Sequence, residues 1–231
     1  MPLSLLAAAV TAGALTVMMR GFAPSAPSPP PVRTIERPAS LGVAPLRLAE
    51  PGIDPVRVEP GRIDARTGYR EDILGRGQFE AVETPILRLA VTRGAGAEKA
   101  PSLFVLLARR AGHAPPGGLP LSVMRTGVRG AVATRFGAVE TLEATLSGPT
   151  TRTCTGFVST HPGLRIDGYL CGPLGGAPAA QSLACTLDAL DLDDPTDPLA
   201  TDAFRKARAR SDCPATAANE PPSRTGAITR R

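Results

Sequence analysis

The stretch CTGFVSTHPGLRIDGYLC, residues Cys154 to Cys171, reads as a β-hairpin and decides the fold. CTGFVST and LRIDGYLC are two strand-like runs that meet at His161-Pro162-Gly163-Leu164. Proline at the second position of a turn and glycine at the third suit type II, because proline presets φ and glycine accepts φ > 0. About that turn, facing residue numbers sum to 325, so Cys154 falls directly opposite Cys171. Cross-strand neighbours bring their Cβ atoms within disulfide reach. The turn therefore predicts a Cys154–Cys171 bond. Cys185 and Cys213 remain as the second pair and would join two final helices.

Working outward, Glu80–Thr92 (EAVETPILRLAVT) is strand-like in its second half, and Pro85 suggests an edge or a bend. Ser102 stands where a helix through LFVLLARRAG would be capped, although that segment is apolar on nearly all sides and a buried strand is the alternative. LPLSVMR, from Leu119 to Arg125, reads as a strand. AVATRFGAVETLEATL, from Ala131 to Leu146, alternates apolar and polar, and Gly137 divides it or marks a bulge. Two helices close the domain, Ala177–Leu190 and Pro198–Ser211. Strands followed by helices predict an α+β fold with an antiparallel sheet, one internal helix and two C-terminal helices.

The N-terminal run MPLSLLAAAVTAGALTVMM, Met1 to Met19, has no charged side chain. Roughly 20 apolar residues span about 30 Å of hydrocarbon, so residues 1–20 are expected to be a transmembrane anchor or a signal segment. Cleavage after Gly21-Phe22-Ala23 or Pro24-Ser25-Ala26 would place a proline just past the cut or at −3. An uncleaved single-pass anchor is therefore preferred over secretion after cleavage. Arg20 alone would hold the downstream part in the cytoplasm, whereas the cysteines argue for an oxidising space.

Residues 21–62 are expected to be a proline-rich linker: ten prolines fall between Phe22 and Pro60, including Pro29-Pro30-Pro31. Such a stretch favours an extended, semi-rigid spacer. Residues 63–213 form the expected globular domain, and residues 214–231 an expected disordered tail. The formal charge is +5, but residues 63–213 carry seventeen basic and sixteen acidic residues. The positive excess sits on the flanks. A nucleic-acid partner is thus not expected, since it requires clustered positive charge on the fold. Aromatics are 3% with no tryptophan, so stacking platforms are scarce.

Neither a metal nor a cofactor is expected. The four cysteines are separated by sixteen, thirteen and twenty-seven residues, without the close pair typical of structural zinc. Four reduced, buried thiols are the alternative for a cytoplasmic domain. No G-x-S-x-G elbow occurs, and Gly94-Ala95-Gly96 lacks the third glycine and the phosphate-loop continuation. His113 and His161 both fall in expected loops or turns, and Ser159 lies two residues before His161. Asp188, Asp191, Asp193, Asp194 and Asp197 crowd into ten residues. As a calcium loop they depart from pattern, with Pro195 at the fifth position and Thr196 replacing the glycine. Asp194-Pro195 and Asp197-Pro198 read better as start signals of the last helix. Arg66–Gly77 (RTGYREDILGRG) reads as a solvated loop before the first strand, with a groove lining as the alternative.

The segments CTGF, DGYLCG and LACTLDAL, with a closing helix before Cys213, resemble uncharacterised single-pass bacterial envelope proteins with a cysteine-containing C-terminal domain. That resemblance implies location and fold and carries no activity. The expected protein is a bacterial inner-membrane, periplasm-facing domain held by its N-terminal helix. Its expected role is binding or scaffolding, with an envelope protein as partner. The alternative is a hydrolase assembled from dispersed residues such as His113, His161 and the aspartates.

Overall fold

A computed structural model describes residues 45–49, 54–113, 118–207 and 213. The expected N-terminal helix, most of the linker and the tail lie outside them. Among the described residues no helix is long and apolar enough to cross a membrane.

Among the described residues nine strands and three α-helices follow in chain order. They are β1 (Leu46–Leu48), β2 (Arg57–Ile63), β3 (Arg70–Arg76), β4 (Ile86–Arg93), α1 (Leu103–Gly112), β5 (Ser122–Thr134), β6 (Gly137–Ser147), β7 (Thr151–His161), β8 (Leu164–Cys171), α2 (Ala180–Asp188), β9 (Leu190–Leu192) and α3 (Pro198–Lys206). Seven strands form one sheet in the order β2-β3-β4-β8-β7-β6-β5, and every pairing is antiparallel. The fold is α+β, mostly antiparallel sheet with three helices.

The β7–β8 hairpin has the register that its turn implies, with Cys154 facing Cys171 and His161 facing Leu164. Gly163 adopts φ +69°, the left-handed conformation that the third turn position demands. Gly137, at φ +90°, does divide its segment: β5 ends at Thr134 and β6 begins at Gly137.

Both faces of the sheet are covered, by different helices. On one face α1 buries Leu103, Leu106, Leu107 and Ala111 against Ile86, Leu142, Leu146, Val158 and Tyr169. That i, i+3, i+4, i+8 spacing is one helical stripe. Gly156 admits the close approach, since a Cβ there would come 3.1 Å from a Leu107 methyl. On the other face α2 and α3 bury Leu183, Leu187, Ala200 and Phe204 against Leu74, Leu87, Leu89, Val91 and Phe157. β4 and β8 sit mid-sheet, which is why β8 is buried along its whole length. Pro85 precedes β4 without making it an edge.

Four expectations need correction. The span read as linker contributes two strands: β2 lies at the sheet edge, and β1 pairs with β9, Leu46 facing Leu192. The folded region therefore starts before residue 63. The segment read as a solvated loop holds strand β3, with Asp72, Leu74 and Arg76 buried. The last helix ends at Lys206, short of Ser211, and Ala180–Asp188 is shorter than Ala177–Leu190 because Leu190 has joined β9.

Disulfides join Cys154 to Cys171 and Cys185 to Cys213, with Cα separations of 4.0 and 5.4 Å. The first is wholly buried beneath α1. Two disulfides indicate a non-cytoplasmic, oxidising compartment.

Candidate functional site

Strand alternation places buried charge on both faces of the β3–β4–β8 region, and neighbouring residues divide the work. Glu71 points to the α1 face and Asp72 to the opposite one. On the α1 face Arg110 bonds Asp167 at 2.6 and 3.2 Å and Glu71 at 2.7 and 2.9 Å. Arg165 adds a third contact to Asp167 at 2.9 Å and donates to the Ala97 carbonyl at 3.0 Å. Burial disfavours the Glu71 carboxylate, but hydrogen bonds from Arg110 and Thr92 outweigh it and hold Glu71 below the usual carboxylate range. Arg110 is held above the usual arginine value: burial opposes its charge, and Glu71 and Asp167 more than compensate.

On the opposite face Arg93 pairs with Asp72 and, at 2.8 Å, with Asp194. Arg70 reaches Asp194 at 2.9 Å. Burial would raise the Asp194 pKa, yet bonds from Thr196 and Arg93, with the charge of Arg70, lower it to about 2. Asp197 stays at the margin of this cluster, 3.5 Å from Arg93, and the other aspartates of that run disperse. Asp188 accepts from the Arg135 amide, Asp191 pairs with Arg47, Asp193 with Arg205, and Asp197 caps α3 by accepting from the Ala200 amide at 3.0 Å. Among the described residues no group of three or more His, Cys, Asp or Glu side chains is arranged to hold a metal ion. The reading of Asp197 as a helix start holds; Asp194 is a buried anion that docks the C-terminal segment.

The two histidines are on opposite faces. His161 shares the face of Phe157, and its Nε2 lies 3.1 Å from Ser159 Oγ. Burial lowers its pKa, partly offset by a bond to the Phe136 backbone. Ser159 is itself buried, and the His161 ring packs tilted against Phe136 with centroids 6.3 Å apart. The pair ties the β5–β6 turn to β7. His113 follows α1 and stands 3.6 Å from Glu59. The structure does not bring His113, His161 and the aspartates into one site.

A cavity of about 300 Å³ lies on the α1 face. It is enclosed by the last turn of α1, by Leu119 and Leu121, and by the loop after β3. That loop is tied to the end of β8 by Arg152, which is almost fully buried. Arg152 donates to the carbonyls of Ala81 (3.1 Å), Thr84 (2.7 Å) and Gly172 (2.6 Å). The floor follows one row across the sheet, Arg57–Gly75–Arg88–Tyr169, each facing the next on adjoining strands. Phe79, Ile86 and Leu121 supply apolar wall. Tyr169 is 4% exposed and lines the cavity. Burial pushes its pKa up to about 12, so it stays a neutral donor. The sequence pointed to two parts of this lining, His113 and, through the groove alternative for Arg66–Gly77, Gly77; it named no other residue as part of a site here.

No family model matches the chain, and neither the curated proteins nor the solved structures contain a match to it. Geometry alone defines the class: a disulfide-bonded α+β domain with a half-polar cavity roofed by one helix.

Proposed function

We propose that the domain is an extracytoplasmic binding module, carried at a bacterial inner membrane by Met1–Met19, that takes a small ligand between α1 and the sheet. The observation that carries the binding reading is a cavity of about 300 Å³ whose lining sets Arg88 and the buried Tyr169 beside the apolar Phe79, Ile86 and Leu121. Ligand pockets combine apolar walls with a few convergent polar groups that fix orientation. The size fits ligand pockets, which start at about 300 Å³. The two disulfides support the compartment. A scaffolding role with an envelope protein has its own support: β5 is an outer strand with Met124 and Val128 67% and 76% exposed. Unpaired strand edges accept added strands.

Two measurements test this. Backbone NMR of the full chain with a fragment library should shift the resonances of Ile86, Leu121 and Tyr169. Shifts confined to β5 would favour the scaffold and reject the cavity. A topology reporter fused after Pro60 should be active only outside the cytoplasm, and cytoplasmic activity would reject the location.

A further inference from the structure

The cavity floor has a charge pattern that the neighbouring clusters do not share. Arg93, Arg110 and Arg165 are all paired with carboxylates. Arg57 and Arg88 are not: among the described residues neither forms an ion pair. Arg88 donates only to backbone carbonyls, to Leu87 at 3.1 Å and to Arg76 and Gly77 at 3.4 Å. Three such bonds leave part of the five-donor guanidinium fork unused. Gly75 faces both arginines, one on each neighbouring strand. A Cβ at Gly75 would sit 2.5 Å from Arg88 Nη1, so the missing side chain is what lets the guanidinium lie across the strand.

We infer that this row is a carboxylate-recognition site and that the ligand is a small organic acid with an apolar body. The inference rests on the binding reading above and names the ligand class of that cavity. Guanidinium groups grip a planar carboxylate through paired hydrogen bonds. Tyr169, a neutral donor in the same row, adds a hydroxyl. The ionised lining selects a single negative charge: Arg57 and Arg88 bring two positive charges and Glu80 one negative. His113 also lines the cavity and is engaged with Glu59. A net of one positive charge suits a monoanion better than a phosphate dianion. Phe79, Ile86 and Leu121 then receive the apolar remainder.

The test titrates the full chain with benzoate, its neutral isostere benzamide, and inorganic phosphate, followed by calorimetry and by NMR of the cavity residues. Benzoate should saturate and bind about tenfold or more tightly than benzamide, consistent with loss of charge-assisted bonds. R88Q and R57Q should each weaken benzoate by about tenfold while leaving benzamide unchanged. Arg57 is exposed, so R57Q keeps the fold even if R88Q does not. G75A retains both charges and should weaken benzoate by displacing Arg88. Equal binding of benzamide and benzoate, tighter binding of phosphate, or unchanged benzoate affinity in R57Q would each overturn the inference while the cavity reading stands. If no probe moved the cavity resonances, both would fall.

Discussion

Arg110 and Asp167 stand 57 residues apart in the chain and meet at 2.6 Å, both buried, where α1 crosses β8. The contact fixes the last turn of α1, and the next residue, Ala111, lines the cavity. A helix held only by Leu103, Leu106 and Leu107 could slide along an apolar sheet. A charge pair in low dielectric has one good geometry.

Arg110→Met is expected to cost about 3 kcal/mol in urea unfolding, because Glu71 and Asp167 are left without their main partner. Arg165 still serves Asp167, which keeps the loss from being larger. A loss below about 0.5 kcal/mol, the range of an exposed pair, would contradict the burial described.

Acid should destabilise the domain between about pH 4 and pH 2. Asp194 has a folded pKa of about 2 against an ordinary 3.8, so its contribution is complete above the unfolded value and vanishes as pH falls through the folded one. The contribution is on the order of 2 kcal/mol at neutral pH. Asp194→Asn should flatten the decline between those values, as followed by circular dichroism at stepped pH. An undiminished slope would place the titrating group elsewhere.

The disulfides should respond in sequence to reductant. Cys154 and Cys171 are 0% exposed, whereas Cys185 and Cys213 are half-buried. Mild reductant with alkylation and mass spectrometry should label Cys185 and Cys213 first. Replacing Cys154 and Cys171 by alanine should cost about 3 kcal/mol, since the bond closes a loop of 17 residues. Simultaneous labelling of all four thiols would indicate global unfolding instead.

Two glycines should give opposite results on substitution by alanine. At Gly168 a Cβ would lie 2.1 Å from the Arg88 carbonyl oxygen and 2.7 Å from Leu89 Cα, both backbone atoms that cannot swing aside. Gly168→Ala should cost about 2 kcal/mol or more. At Gly112, the last residue of α1, a Cβ meets nothing within 4 Å, and Gly112→Ala should gain up to about 1 kcal/mol. Thermal melts of the two variants check both signs.

The hairpin was readable because its information is local: Pro162-Gly163 sets the turn, and the turn sets every facing pair down to Cys154 and Cys171. α1 was half readable: Ser102 marked its start, although its side chain makes no cap bond, and the nearly all-round apolarity left a buried strand open. β2 was hidden by Pro60 within it. An edge strand tolerates that missing donor, and the register shifts between Glu59 and Arg62 to absorb it. β3 was hidden by its charges, which looked solvated because their partners are distant: Arg93 finds Asp194 across 101 residues. One signal was present and unread. Arg110 occupies the i+7 position of the apolar stripe that begins at Leu103, where a charge implies a buried counter-ion. The cavity row needs the register of three strand pairs, and no local pattern carries that.

The pairing of Leu46 with Leu192 has a temporal consequence. A ribosome or a translocation pore delivers the chain from its beginning, so Leu46 emerges well before the segment that will cover it. Until residues near 190 arrive, Leu46–Leu48 and the ionic dock for Asp194 wait uncovered, and the seven-stranded sheet can assemble with one face bare. Completion of the domain is then gated by delivery of its far end, which favours slow, long-range closure over stepwise growth.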